Sequence, residues 1–309
     1  MEIHIHTTVS SNSLRYFDYV CENYVGLSSG KLPVIFYAYC LDKESYNELS
    51  KDKRIHQAVD LEFGRGSIGH ARSIDTAIAN FAAGQINIIS DTDIAILAQD
   101  WDLDLQQALC GPNAVGVVAT KMEGFGGFNC GTLEIQHYKE KPTTTWMAIS
   151  PQFDFSKLTV MPDKKNYIDV TNEELADLYQ IPVGHKVLKD TGWQVPSYLK
   201  DNNIPYIAMD IVKPTSPKAI ALKGCNPYHD EFHWNGKPFL AHQRGSMKHR
   251  FRIDPLSQDF YNACDKFLDN PSWAVFPTKK DKQKALVQDL ISLAKNPVRI
   301  ARRLVARQK

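Results

Sequence analysis

Between residues 2 and 91 the chain alternates repeatedly between short apolar runs and longer segments of helical spacing, and this rhythm fixes most of what it can fold into. Strands are predicted at residues 2–8, 32–40 and 56–63 and over the run that ends at Asp91, with helices at 13–24, 42–50 and 69–81. Strands alternating with helices argue for an α/β fold, a mostly parallel central sheet flanked by helices. Such sheets bind ligands at the carboxyl ends of their strands, so the residues just after each strand become the candidate site. The second half is less regular. Strands are predicted at 114–120, 143–149 and 206–211, with a glycine-rich loop at 124–128. Pro214, Pro217 and Pro227 mark an irregular stretch before a histidine-rich segment.

A chain of 309 residues, 43% hydrophobic and 23% charged, can bury a substantial core. A net charge of +1 supplies no global field to draw nucleic acid. The six cysteines are scattered, without the spacing of a zinc site, and read as reduced thiols of a cytoplasmic protein. The start of the chain reads as a strand rather than a signal peptide, and no run approaches the ~20 apolar residues of a membrane span. The expected organisation is a domain over 1–276, with a nucleotide-binding half at 1–110 and an acceptor-side, metal-completing half at 111–276. A basic amphipathic helical tail follows at 277–309. Within it, residues 282–309 carry eight Lys or Arg against one acidic residue, Asp289. That pattern suits peripheral contact with an anionic membrane surface at its inner, cytoplasmic face. An ordinary terminal helix with a solvated basic face has the same pattern.

Chemistry concentrates at two places. Asp91-Thr92-Asp93 follows the apolar run Ile86-Asn87-Ile88-Ile89, and carboxylates at i and i+2 can be aimed to one side of a strand end. Hard oxygen ligands suit Mg²⁺ or Mn²⁺ bound to phosphates. With 24 Asp in the chain, chance gives about two such triplets, and two others occur at Asp100, Asp102 and Asp104. Those lie in a segment that reads as a solvated helix, 101–109, so context selects Asp91 and Asp93. The second place is His242-Gln243-Arg244-Gly245-Ser246-Met247-Lys248. An imidazole can complete a shell begun by two carboxylates and tilts preference toward Mn²⁺. Gly245 lets backbone amides approach a phosphate, and Lys248 can neutralise a leaving diphosphate.

Together these features resemble the GT-A class of nucleotide-sugar-dependent glycosyltransferases. The segment from Gly66 to Asp75, followed by Ile89-Ser90-Asp91-Thr92-Asp93, is similar to bacterial and phage members of the family-two type. The His242 to Lys248 segment resembles that of glycogenin-like retaining enzymes. The resemblance spans roughly residues 1–255 and implies a Rossmann-like sheet and transfer of a hexose from a nucleotide diphosphate sugar, a uridine one first, to a hydroxyl of a carbohydrate acceptor. Carried over by position, Asp91 and Asp93 match metal- and ribose-contacting carboxylates, His242 a late metal ligand, and Lys248 a diphosphate contact. Arg72 stands where a family arginine approaches the nucleotide, and Thr7 or Thr8 where uracil and ribose are held. The pattern departs where Ser73 replaces a usual asparagine and where His249-Arg250 replaces Pro-Trp, and the mixture of two motif resemblances leaves inversion or retention open.

Inversion requires a base for the acceptor hydroxyl, and Asp190 is the candidate, with Trp193 able to stack on a sugar face. Asp190 reads equally as a helix N-cap. Asp60 and Glu62 end the third strand, where one can hold the base or ribose. His4 and His6 share a strand face and read as a buried or edge pair rather than as ligands. His229 and His233 read as part of a loop rather than as ligands on a helix. Among Arg244, Arg250 and Arg252, one phosphate contact is expected beside surface charge. Two other functions compete. A sugar-nucleotide nucleotidyltransferase would want a glycine-rich loop where Thr7-Thr8-Val9-Ser10-Ser11-Asn12 stands, and a non-catalytic glycan-binding domain would share the fold.

Overall fold

A computed structural model describes residues 1–61, 66–123, 134–163, 167–244 and 255–267. Its first four strands are β1 (Ile3–Val9), β2 (Val34–Cys40), β3 (Ile55–Asp60) and β4 (Ile86–Ser90), parallel and ordered β3–β2–β1–β4. Helices α1 (Leu14–Gly26), α2 (Lys43–Leu49) and α3 (Ser67–Ala79) connect them, as the alternation predicts. The start of α2 is set by Asp42, whose carboxylate accepts from the backbone N–H of Ser45 at 2.9 Å. β4 is buried along its whole length because helices cover both faces of the sheet. His4 and His6 form the buried pair expected of them. His4 Nδ1 lies 3.1 Å from the Tyr37 hydroxyl, and His6 lies 3.1 Å from both the Tyr39 hydroxyl and Asn87 Oδ1. Burial, opposed by the Asn87 contact and aided by His4, pushes the His6 imidazole down to about 4.

The remaining elements are β5 (Ile94–Ile96), α4 (Trp101–Cys110), β6 (Val117–Glu123), β7 (Ile135–Gln136), β8 (Lys139–Ile149) and β9 (Tyr167–Asp169), followed by α5 (Glu173–Tyr179), β10 (Lys186–Leu188) and α6 (Val195–Asp201). They end with β11 (Tyr206–Val212), β12 (Asp230–Trp234), β13 (Lys237–His242) and α7 (Pro255–Cys264). The sheet continues from β4 through β8, β6, β11, β12 and β13 to β5, while β7, β10 and β9 make a small separate sheet. β6 and β11 are parallel to each other; β8, β12, β13 and β5 pair antiparallel with their neighbours. Two expectations change here. His233 lies in β12 rather than in a loop, while His229 stands in the loop before the strand, as expected; the Asn235-Gly236 turn closes the hairpin, with φ of 51° and 75°. Asp102 is not solvated: it is fully buried and accepts from the backbone N–H of Ser29 at 2.7 Å.

The strand order forces a curvature that makes the site. Only Asp91, Thr92 and Asp93 separate β4 from β5, a link that reaches at most about 15 Å. In a flat sheet the six steps from β4 to β5 would span about 29 Å. The far edge therefore curls back until β5 lies beside the end of β4. One apolar core records this closure, because Ile5, Phe36 and Ile88 share it with Ile94, Ile96, Phe232 and Leu240, under Phe17, Tyr24, Trp101 and Leu105 of α1 and α4. Ile74 and Ile78 of α3 and Val195 and Leu199 of α6 pack on the opposite face, with Ile89, Met147 and Ile149.

Helix α1 staples the link at both ends. The Tyr24 hydroxyl meets Ser90 Oγ at 2.8 Å, at the end of β4. The Asn23 amide donates to Ile96 O at 3.0 Å and accepts from Ile96 N–H at 2.6 Å, standing in for a neighbouring strand along β5. Among the described residues no helix is long and apolar enough to cross a membrane. The basic tail at 277–309 and the loop at 124–128 lie outside the described residues.

Candidate metal and donor site

The returned edge brings three side chains together. β13 pairs with β5 so that His242 stands opposite Ile94, and the backbone N–H of Gln243 donates to Asp93 O at 2.9 Å. On the other side of the link, the N–H of Asp91 donates to Thr145 O of β8 at 2.9 Å. One ligating atom each from Asp91, Asp93 and His242 then lies within 4.8 Å of the others. His242 Nε2 is 3.5 Å from Asp93 Oδ1, and the Asp91, Asp93 and His242 side chains are 26%, 12% and 15% exposed. Two carboxylates and one imidazole, all partly exposed, are a donor set that fits Mn²⁺ or Mg²⁺.

The surroundings hold these groups in place. Asp230, fully buried opposite His242 in β12, directs Oδ2 to within 3.9 Å of His242 Nδ1. Its charge is met by Lys213 Nζ at 2.6 Å and by Arg244 Nε. Glu123 takes the same two cations, at 2.9 Å from Lys213 and 3.2 Å from Arg244. At that distance Asp230 acts on the ring through its charge, favouring the protonated imidazole, rather than through a hydrogen bond. On the other wall, His70 Nε2 in the first turns of α3 lies 3.0 Å from Asp91 Oδ1. Burial disfavours the charged form of both imidazoles, but it is outweighed by Asp91, Asp93 and Asp190 at His70 and by Asp93 and Asp230 at His242. Both therefore hold protons above the usual histidine range. At His242, a proton and a divalent cation would compete for the same electron pair.

Asp190 stands on the facing wall, in the turn before α6. The N-cap of α6 is Gln194, so Asp190 does not cap it. Its Oδ2 lies 3.4 Å from His137 Nε2, and its Oδ1 accepts from the backbone N–H of Thr191 at 2.8 Å. The Thr191 hydroxyl donates to Ser67 O at 3.2 Å, which ties this turn to the start of α3. The His137 contact, acting against burial, holds the Asp190 carboxyl below the usual range. Trp193 is engaged within the protein: its indole N–H donates to Met161 O at 3.2 Å, and Lys189 Nζ lies 4.6 Å from its ring centroid.

The other expected donor residues separate. Thr7 is fully buried and has no surface to offer a ligand, whereas half-buried Thr8 meets Ser73 of α3 through its hydroxyl. Asp60, at the end of β3, pairs with Lys43 at 2.8 Å. Arg72 is exposed on α3, about 200° around the helix from His70, and so does not share the face that meets Asp91. Gly245, Lys248, Glu62, Arg250 and Arg252 lie outside the described residues. Sequence reasoning missed His70, His137 and Asp230. His70 had a usable signal: it is three residues before Ser73, so a helix facing the sheet at Ser73 presents both to it.

No protein-family model matches the chain, and no curated protein matches it. Among solved structures it is similar to the glycosyltransferase GlyE of Streptococcus pneumoniae, at 11% identity over 67% of this chain and 45% of that one, with a TM-score of 0.35. It is similar to residues 1–349 of S. aureus TarS, at 12% identity over 67% of this chain and 60% of that one, with a TM-score of 0.35. It is also similar to the mannosyltransferase PcManGT of Pyrobaculum calidifontis, solved with GDP-Man and Mn²⁺, at 12% identity over 99% of this chain and 79% of that one, with a TM-score of 0.35. The chain spans less than two thirds of the GlyE and TarS chains. Likeness at this level assigns no family.

Proposed function

We propose that the chain is a metal-dependent glycosyltransferase that moves a hexose from a nucleotide diphosphate sugar to a hydroxyl of a glycan. The observation that carries this reading is the convergence of one ligating atom each from Asp91, Asp93 and His242 within 4.8 Å just beyond the carboxyl end of β4. A cation held by those three, Mn²⁺ or Mg²⁺, would supply Lewis-acid stabilisation to the departing diphosphate. The protein's own groups do the rest. Asp230 places negative charge behind His242, pairing with β5 fixes the strand that carries it, and Thr8 and Asp60 lie near the ends of β1 and β3, where nucleoside would lie. Lys248 adds positive charge beside the phosphates, and the backbone at Gly245 permits their close approach. Asp190, ionised at neutral pH, is the group available to accept the acceptor proton if the anomeric configuration is inverted.

Release of UDP from a panel of UDP-sugars, with Mn²⁺ and with chelator, tests the proposal. Metal-dependent release is expected, and Asp93→Ala should reduce it on the order of 10²- to 10³-fold, the scale of a lost electrostatic contact to a developing charge. An Asp93→Ala protein that turned over donor at the original rate would refute it.

A further inference from the structure

We propose that His70 is a positioning residue of the candidate metal centre, one that holds Asp91 in place by a hydrogen bond; the inference rests on the reading of Asp91, Asp93 and His242 as ligands. The contact is 3.0 Å between His70 Nε2 and Asp91 Oδ1. An ionised carboxylate only accepts, so the imidazole is the donor and its Nε2 carries the hydrogen. Asp91 needs such a partner more than Asp93 does. The Asp93 side chain is 12% exposed and lies 3.5 Å from His242, whereas the Asp91 side chain is 26% exposed, although its backbone is held by the Thr145 carbonyl and the Ser90 hydroxyl. A carboxylate has two oxygens, so Asp91 can keep the His70 hydrogen bond on one and present the other to a cation.

The helix that carries His70 is itself fixed. Its start is joined to the Asp190 turn by the Thr191 hydroxyl, and its sheet-facing side is joined to β1 through Ser73 and Thr8. His70 and Asp91 are 30% and 26% exposed, so the pair is shielded without being closed off. Half-burial strengthens the hydrogen bond relative to a surface pair while leaving a route for a ligand. His70 thereby transmits the rigidity of α3 to the more exposed of the two carboxylates. Hydrogen-bonded partners of ligating groups set metal affinity in this way.

Mn²⁺ binding, measured by electron paramagnetic resonance of free Mn²⁺ and by calorimetry without any sugar nucleotide, distinguishes this role from a structural one. His70→Phe keeps the volume and removes the donor, and His70→Gln restores a donor. The Phe variant should bind Mn²⁺ about 10- to 100-fold more weakly, with an unchanged melting curve in chelator, and the Gln variant should recover most of the loss. Wild-type affinity in His70→Phe would overturn the proposal, as would a Gln variant no better than Phe, which would place the effect in ring shape. Asp93→Ala separates the two levels of the argument: if it keeps wild-type Mn²⁺ affinity, the metal centre itself is wrong, whereas loss of binding there beside full binding in His70→Phe sinks only the role of His70.

Discussion

His6 shows how neighbours decide the protonation of one residue. It sits on the central strand between the Tyr39 hydroxyl and Asn87, and burial pushes its folded value down to about 4. An unfolded chain holds it near 6.5. Above that pH both states are neutral and the full stability is present. As pH falls from about 6.5 to about 4 the unfolded state takes up a proton that the folded state refuses, so stability drops, by on the order of 3 kcal/mol, and then levels. Urea unfolding between pH 7 and 4 should show this slope, and His6→Gln should remove that share of it. An equally steep decline in the variant would mean that His6 is not the source. The same scale shows what sequence could tell. The i, i+2 alternation of His4 and His6 sufficed to put them on one face of a strand, as a buried or edge pair, because alternation is a property of the strand alone; that the pair is buried is decided by the packing. The choice between His70 and Arg72 turned on which side of α3 faces the sheet, and that needs the packing.

At the level of elements, the first half was legible throughout and the second in part, since α4, β6, β8 and β11 fall on expected segments while the short strands do not, for a physical reason. β1, β2 and β4 are largely buried runs, so their apolar density is visible before the fold is known, whereas β3, at the sheet edge, has no fully buried residue. β5, β9 and β10 have three residues each and β7 has two, too few for any period to register; they exist because neighbours hold them. The β12–β13 hairpin was readable in principle, since Asn235-Gly236 between apolar runs is a strong turn signal, but the flanking histidines and Pro227 drew the segment toward loop. β5 depends on one side chain of α1. Asn23→Ala would leave the buried N–H and C=O of Ile96 unpaired, at about 1–3 kcal/mol for each group. The expected outcome is a lower urea midpoint together with weaker Mn²⁺ binding, because the strand that loses its partner carries Asp93 at its start. Destabilisation with full Mn²⁺ affinity would show that the link holds its geometry without α1.

Across the whole molecule, the ligands meet only because the sheet closes on itself. Asp91 and Asp93 leave the centre of the sheet and His242 leaves its far side, and the three-residue link between β4 and β5 brings those places together. The sequence motifs identified the ligands through their chemistry, but nothing in residues 91–93 announces a strand order that returns to them. A site assembled from such distant segments is absent from the unfolded chain, so a cation that binds it acts on the folded state alone. The consequence is a melting temperature that rises with Mn²⁺ concentration, by an amount equivalent to about 2.7 kcal/mol at one hundred times Kd. The rise should vanish in chelator and in Asp93→Ala. It should also be lost in His242→Ala, although that residue is contributed by a strand on the opposite side of the sheet order. A shift that survived in His242→Ala but not in Asp93→Ala would mean that the link binds metal by itself, and that the closure of the sheet serves the core rather than the site.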